Sequence, residues 1–93
     1  MAIVEEVFGS KERIKILRVM SECVELKISD VVRKAGMNHS STERHLEKLK
    51  EMGLVGERRD GPIRIFEIAF NKVAVVFVRG QGVKWERDQY TEG

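Results

Sequence analysis

Two amphipathic stretches, "ISDVVRKAG" and "NHSSTERHLEKLKEMG", stand almost back to back at residues 28–36 and 38–53. Gly36 ends the first in C′ fashion, and Met37 and Asn38 make a tight turn before the second. So short a connection leaves two helices little choice but to cross steeply. Ser29 is placed to cap the first helix, and Asp30 suits its positive N-terminal end. In the second, Thr42, Leu46, Leu49 and Gly53 line one side, with His45 and Met52 flanking. Ser40, Arg44, Glu47, Lys48 and Glu51 fall around the opposite side at 100° per residue. Gly53 stops this helix.

The remaining elements follow from the same rules. "SKERIKILRVMSE" has Ser10 as N-cap and an apolar stripe of Ile14, Leu17 and Val19/Met20, widened by Ile16. Ahead of it, Ile3, Val4, Val7 and Phe8 recur at three to four residues, as in a short helix or an arm. "VELKIS" alternates apolar residues at Val24, Leu26 and Ile28, a short extended piece. "LVGERRDGPIRIFEIAF" reads as a hairpin with its turn at "DGP" and Phe66, Ile68 and Phe70 on one face. Pro62 fits because it sits at the turn, outside the ladder. In "NKVAVVFVRGQGVKWERDQY", Val73, Val76, Phe77, Gly80, Val83, Lys84 and Arg87 follow a helical line capped by Asn71. Against a helix stand the β-branched "VAVVFV" and two glycines, each costing about 1 kcal/mol. Helix, short strand, helix, helix, hairpin, helix is the order of a winged helix-turn-helix, an α+β fold.

Ninety-three residues form one domain, and so small a core gains from burying more surface against a twin subunit. Cys23 is the lone cysteine, which excludes an internal disulfide and a zinc cluster and points to a reducing, cytoplasmic setting. The start has no signal-peptide pattern, and no apolar run is long enough for a membrane span. The net charge of +2 is unevenly spread: residues 10–65 carry 13 Lys/Arg against 9 Asp/Glu, which suits a polyanionic partner. No phosphate loop, nucleophile elbow, paired carboxylate set or cysteine–histidine motif is present, so an enzyme is not expected.

The stretches "FGSKERIKIL" (8–17), "ISDVVRKAGMNHSSTERHLEKLKEMGLV" (28–55) and "GPIRIFEI" (61–68) together resemble the ArsR-like winged-helix regulators of bacteria and archaea. "NKVAVVFVRGQGVKW" (71–85) resembles their terminal dimerisation helix. The resemblance implies a winged-helix core over 8–70, a dimerisation helix over 71–89 and a flexible tail at 90–93. It also implies a homodimer that binds double-stranded operator DNA and represses transcription. Metal-sensing relatives carry two cysteines in a Glu-Leu-Cys-Val-Cys-Asp-Leu motif. Here that frame reads Glu25-Leu26-Lys27-Ile28-Ser29-Asp30-Val31. An ammonium and a hydroxyl cannot grip a soft metal ion, so neither a metal nor another cofactor is expected.

The resemblance makes the 38–53 helix the recognition helix, and its chemistry agrees. Its front end is small and polar, which lets a groove come close, and its backbone amides attract phosphate. His39, Ser40, Ser41 and Arg44 are the expected groove contacts, with Arg44 suited to bidentate bonding of guanine and Lys48 to phosphate. Glu43 and Glu47 would repel the backbone unless they point aside, pair with Arg44 or Lys48, or accept from a cytosine amino group; Glu43 is kept among the contacts. Arg58, Arg59 and Arg64 flank the hairpin turn and can meet the DNA backbone or a minor groove, or simply guard an edge strand. His45 reads as a packed core histidine. Val73, Val76, Phe77 and Trp85 are the expected dimer contacts, Trp85 as an anchor in preference to an ordinary core residue. The alternative is a winged helix used for protein contact, with "VAVVFV" as the partner surface.

Overall fold

The structure, a computed structural model, describes residue 7 and residues 9–89; within these, the side chains of 71, 73–75, 85 and 87–89 are outside the description. Of the expected arm, Ile3, Val4 and Phe8 also lie outside it, whereas Val7 is helical and fully buried. Helix α1 is Lys11–Ser21, and its first turn is closed as expected by Ser10, whose Oγ accepts from the Arg13 amide at 3.3 Å. Ile16 and Met20, one turn apart, are its deepest residues, and Ile14, Leu17 and Val19 pack along the rim of the core.

Strand β1 is Leu26–Lys27, and helix α2, Ile28–Ala35, begins directly after it. The helix therefore starts two residues earlier than the Ser29 cap predicts. Lys27 occupies the cap position, and the Asp30 carboxylate reaches back to accept from the Lys27 amide at 3.4 Å. Gly36 then adopts φ 66°, and the amides of Gly36 and Met37 bond to the carbonyls of Arg33 and Val32. That left-handed residue turns the chain within three positions, and helix α3, His39–Glu51, follows. Thr42, Leu46 and Leu49 are fully buried and His45 nearly so, the face anticipated from the periodicity.

Strands β2 (Val55–Asp60) and β3 (Ile63–Ile68) pair antiparallel from Val55↔Ile68 to Asp60↔Ile63. Only Gly61 and Pro62 lie between them, and Gly61 takes the positive φ (62°) that a tight hairpin requires. β3 is central, with β1 on its other side through Leu26↔Phe66. Phe66 thus reaches the core, in the same buried cluster as Ile16, Met20, Val31, Leu46 and Leu54. Three helices and this wing are the winged helix-turn-helix arrangement.

The C-terminal segment departs from expectation. Residues 71–89 are not a helix: β4 (Phe70–Val78) and β5 (Gly82–Gln89) form a separate two-stranded antiparallel sheet. The reason is local. β-branched side chains lose rotamer freedom in a helix and fit a strand, and the two glycines serve the turn, Gly80 at φ 76° and Gly82 at φ 81°. Among the described residues no helix is long and apolar enough to cross a membrane.

Candidate nucleic-acid interface

The N-terminus of α3 is open to solvent. Asn38, His39 and Ser40 are exposed, and Ser41 is half-buried. Asn38 closes the turn, its Oδ1 accepting from the Ser41 amide at 2.8 Å and its carbonyl from Thr42 Oγ1 at 2.8 Å. The three hydroxyls therefore divide their work: Thr42 faces the core and braces the turn, while Ser40 faces outward. The amides of His39 and Ser40 have no acceptor among the described residues, so the positive end of the helix is presented to solvent.

Further along the same helix, Arg44 is exposed and Lys48 half-buried, and neither forms an ion pair among the described residues. They share a shallow open groove with Ser40, Glu43, Glu47, Glu51 and Arg13. Beside this groove α3 is held by His45, whose Nδ1 accepts from Arg13 Nε at 3.2 Å. Burial, and then the charges of Arg13 and Arg44, hold the imidazole below its ordinary pKa. It is a neutral packing residue, as its position beside the apolar stripe suggests. Among the described residues no group of three His, Cys, Asp or Glu side chains is arranged to hold a metal ion.

The three wing arginines have separate fates. Arg59 is exposed and unpaired among the described residues, next to the exposed tip at Asp60, Gly61 and Pro62. Arg58 pairs with Glu25, and that carboxylate raises its pKa. Both partners are well exposed, so the pair contributes little to stability. Arg64 faces α3 instead of solvent. Its Nε donates to Glu57 Oε2 at 2.6 Å, its Nη1 to Glu43 Oε2 at 2.5 Å and its Nη2 to Glu47 Oε1 at 2.8 Å. Lys50 Nζ closes the cluster on Glu57 Oε1 at 2.7 Å. Arg64 and Lys50 together hold the Glu57 carboxyl down to about 2. Glu43 and Glu47 are therefore paired, but with Arg64 in place of the expected Arg44 or Lys48.

Sequence reasoning overlooks Glu57 and Lys50. Their roles depend on which strand residue lies beside which helix turn, and no local spacing reports that. Of the expected dimer contacts, Val76 is half-buried and Phe77 is 80% exposed. Those at Val73 and Trp85 fall on side chains outside the described residues.

A family model described as bacterial regulatory protein, arsR family, matches residues 10–57. Among solved structures, the chain is similar to a homodimeric winged helix-turn-helix DNA-binding domain from Mycobacterium bovis, a possible ArsR-family transcriptional regulator. The two are 29% identical with a TM-score of 0.65, over 73% of this chain and 62% of that one. The antimony-specific transcriptional repressor AntR is 18% identical with a TM-score of 0.65, over 72% and 60%. A predicted DNA-binding transcriptional regulator from E. coli is 24% identical with a TM-score of 0.64, over 72% and 70%. The last two show the fold. This chain spans about three fifths of the length of the first two. No curated protein is significantly similar in sequence.

Proposed function

The chain belongs to the ArsR family of bacterial regulatory proteins, and from that premise we propose that it binds double-stranded DNA sequence-specifically and represses transcription as a homodimer. The family is one of DNA-binding regulators and not of enzymes. The observation that carries the reading is the open front of α3. Two unclaimed amides, Ser40 and the unpaired Arg44 lie on one exposed helical face, with core side chains only on the other. In this reading His39, Ser40, Ser41 and Arg44 meet base edges, Lys48 and Arg59 meet phosphate, and no metal is needed. Arg58 joins them only if it leaves Glu25. The cytoplasm, where the DNA is, is the proposed compartment.

Selection of bound sequences from a random duplex pool tests this directly. A roughly palindromic site is expected, with half-sites about 34–36 Å apart, because two-fold related helices enter successive major grooves. Affinity falls steeply with salt as counterions are released, and Arg59→Ala flattens the log–log slope by about one. Failure to bind random duplex at both low and moderate salt would favour the alternative, a winged helix that contacts protein.

The dimer contact is assigned to the C-terminal hairpin, on the face that carries Phe77 and in place of a helix; Val76, the next residue in the strand, points to the other face. An isolated two-stranded sheet is marginal in water and gains from cover. Phe77, set opposite Val83 in the ladder, leaves a large apolar side chain bare. The homodimeric state of the M. bovis domain supports a second copy of this chain as that cover. Phe77→Asp is expected to yield a monomer by sedimentation at micromolar concentration, with the helical content retained. A mutant that still sediments as a dimer would put the contact elsewhere.

A further inference from the structure

Glu43 and Glu47 pose a problem for any face that meets phosphate. They line the same groove as Ser40, Arg44 and Lys48, and their side chains are 44% and 46% exposed. Two bare carboxylates there would oppose a polyanion. Their charge is answered from the wing. Arg64 sits on β3, where its own exposure is only 20%, and a single guanidinium bonds both glutamates, which lie one helical turn apart. Glu57 on β2 holds its Nε, and Lys50 holds Glu57 from the end of α3. The guanidinium carbon stands 5.2 Å from the centre of the buried Phe66 ring. Anchored on these sides, Arg64 is aimed at the helix and turned away from solvent. Its planar fork of donors suits several carboxylates at once, which an ammonium cannot match.

We propose that Arg64 is a positioning residue for DNA recognition: from the wing it orients Glu43 and Glu47 and offsets part of their charge, so that the face bearing Ser40 and Arg44 can approach phosphate. The proposal rests on the DNA-binding reading given above. It removes Arg64 from the direct contacts and makes the wing a condition for the helix to read DNA.

A double-mutant cycle tests it. Anisotropy of a labelled duplex carrying the selected site is measured for the wild type, Arg64→Ala, Glu43→Gln/Glu47→Gln and the triple variant, with Tm recorded for each. At about 0.1 M salt, Arg64→Ala is expected to weaken binding about tenfold, since exposed charges within a Debye length of phosphate still repel it. Adding the two glutamines should recover affinity to within about threefold of wild type, while the same pair raises it less where Arg64 is present. An equal gain in both backgrounds, or a triple variant as weak as Arg64→Ala, would overturn the proposal, because direct phosphate contact or mere support of the fold predicts no such rescue. Should Arg64→Ala not fold, Arg64→Gln, which keeps a polar stem and removes the charge, carries the cycle under the same criteria. A wild-type protein that binds no duplex at any salt would instead remove the DNA-binding reading, and this role with it.

Discussion

Replacing Arg44 with alanine is expected to reduce discrimination between the selected site and a guanine-substituted one by about 5- to 150-fold, the roughly 1–3 kcal/mol that a bidentate contact supplies. Non-specific affinity should fall far less. The expectation follows from position: Arg44 is exposed, has no ion partner among the described residues, and lies one turn beyond Ser40 on the open face of α3. A side chain already committed to a carboxylate would have to give up that bond before it met a base, and Arg44 has none to give up. Competition binding with single-base variants of the site checks it. Unchanged preference among those variants would show that a different side chain reads the base. Arg44→Lys should restore affinity more than preference, since an ammonium lacks the two parallel donors.

Acid should unfold the protein in two steps of the same sign. His45 is held below its ordinary value of 6.5, so its contribution is complete above that pH and is lost as pH falls through the folded value. Glu57 is displaced from 4.5 to about 2, so its contribution is complete above 4.5 and disappears as pH drops toward 2. At about 1.4 kcal/mol per unit, the second step amounts to at most about 3.5 kcal/mol, a large share of the stability of a small domain. The Glu57 side chain is only 11% exposed, which keeps screening by water modest. Urea unfolding between pH 7.5 and 2, at fixed protein concentration, should show both steps. Glu57→Gln should be less stable than wild type at neutral pH and lose the lower step; His45→Gln should lose the upper one. A Glu57→Gln protein with the same slope between pH 5 and 2 would mean that the cluster around Arg64 does not stabilise the fold.

The features legible in the sequence are those that neighbours along the chain decide. The two faces of α3 follow from 100° per residue, and its ends from Asn38 and Gly53, which are local chemistry. The wing follows from alternation about a two-residue loop. Arg64 is a different case. Its partners lie 7, 17 and 21 residues away, so only the packing of β3 beside α3 reveals that it serves glutamates and not phosphate. Beside the wing turn, Arg58, Arg59 and Arg64 look equivalent in sequence, and the fold separates them into a surface pair, an unpaired cation and an anchored clamp. The error over residues 71–89 has another cause. Resemblance to a terminal helix outweighs the β-branched "VAVVFV", although the strand chemistry is present in those very residues. The displaced Ser29 cap is a smaller version: Asp30 can bond the Lys27 amide, and that bond sets the start of α2.

Among the described residues the second sheet has two strands and no interior one, so both its margins carry peptide groups without ladder partners. Along β4 these flank six uncharged residues, "VAVVFV", the composition that self-templating fibrils favour. Lys72 and Arg79 bracket the run as gatekeepers, and Lys84 stands across the ladder from Val76. In the proposed dimer, the second copy that covers this ribbon would thus also protect the solubility of the chain, and a variant that dissociates should aggregate more readily.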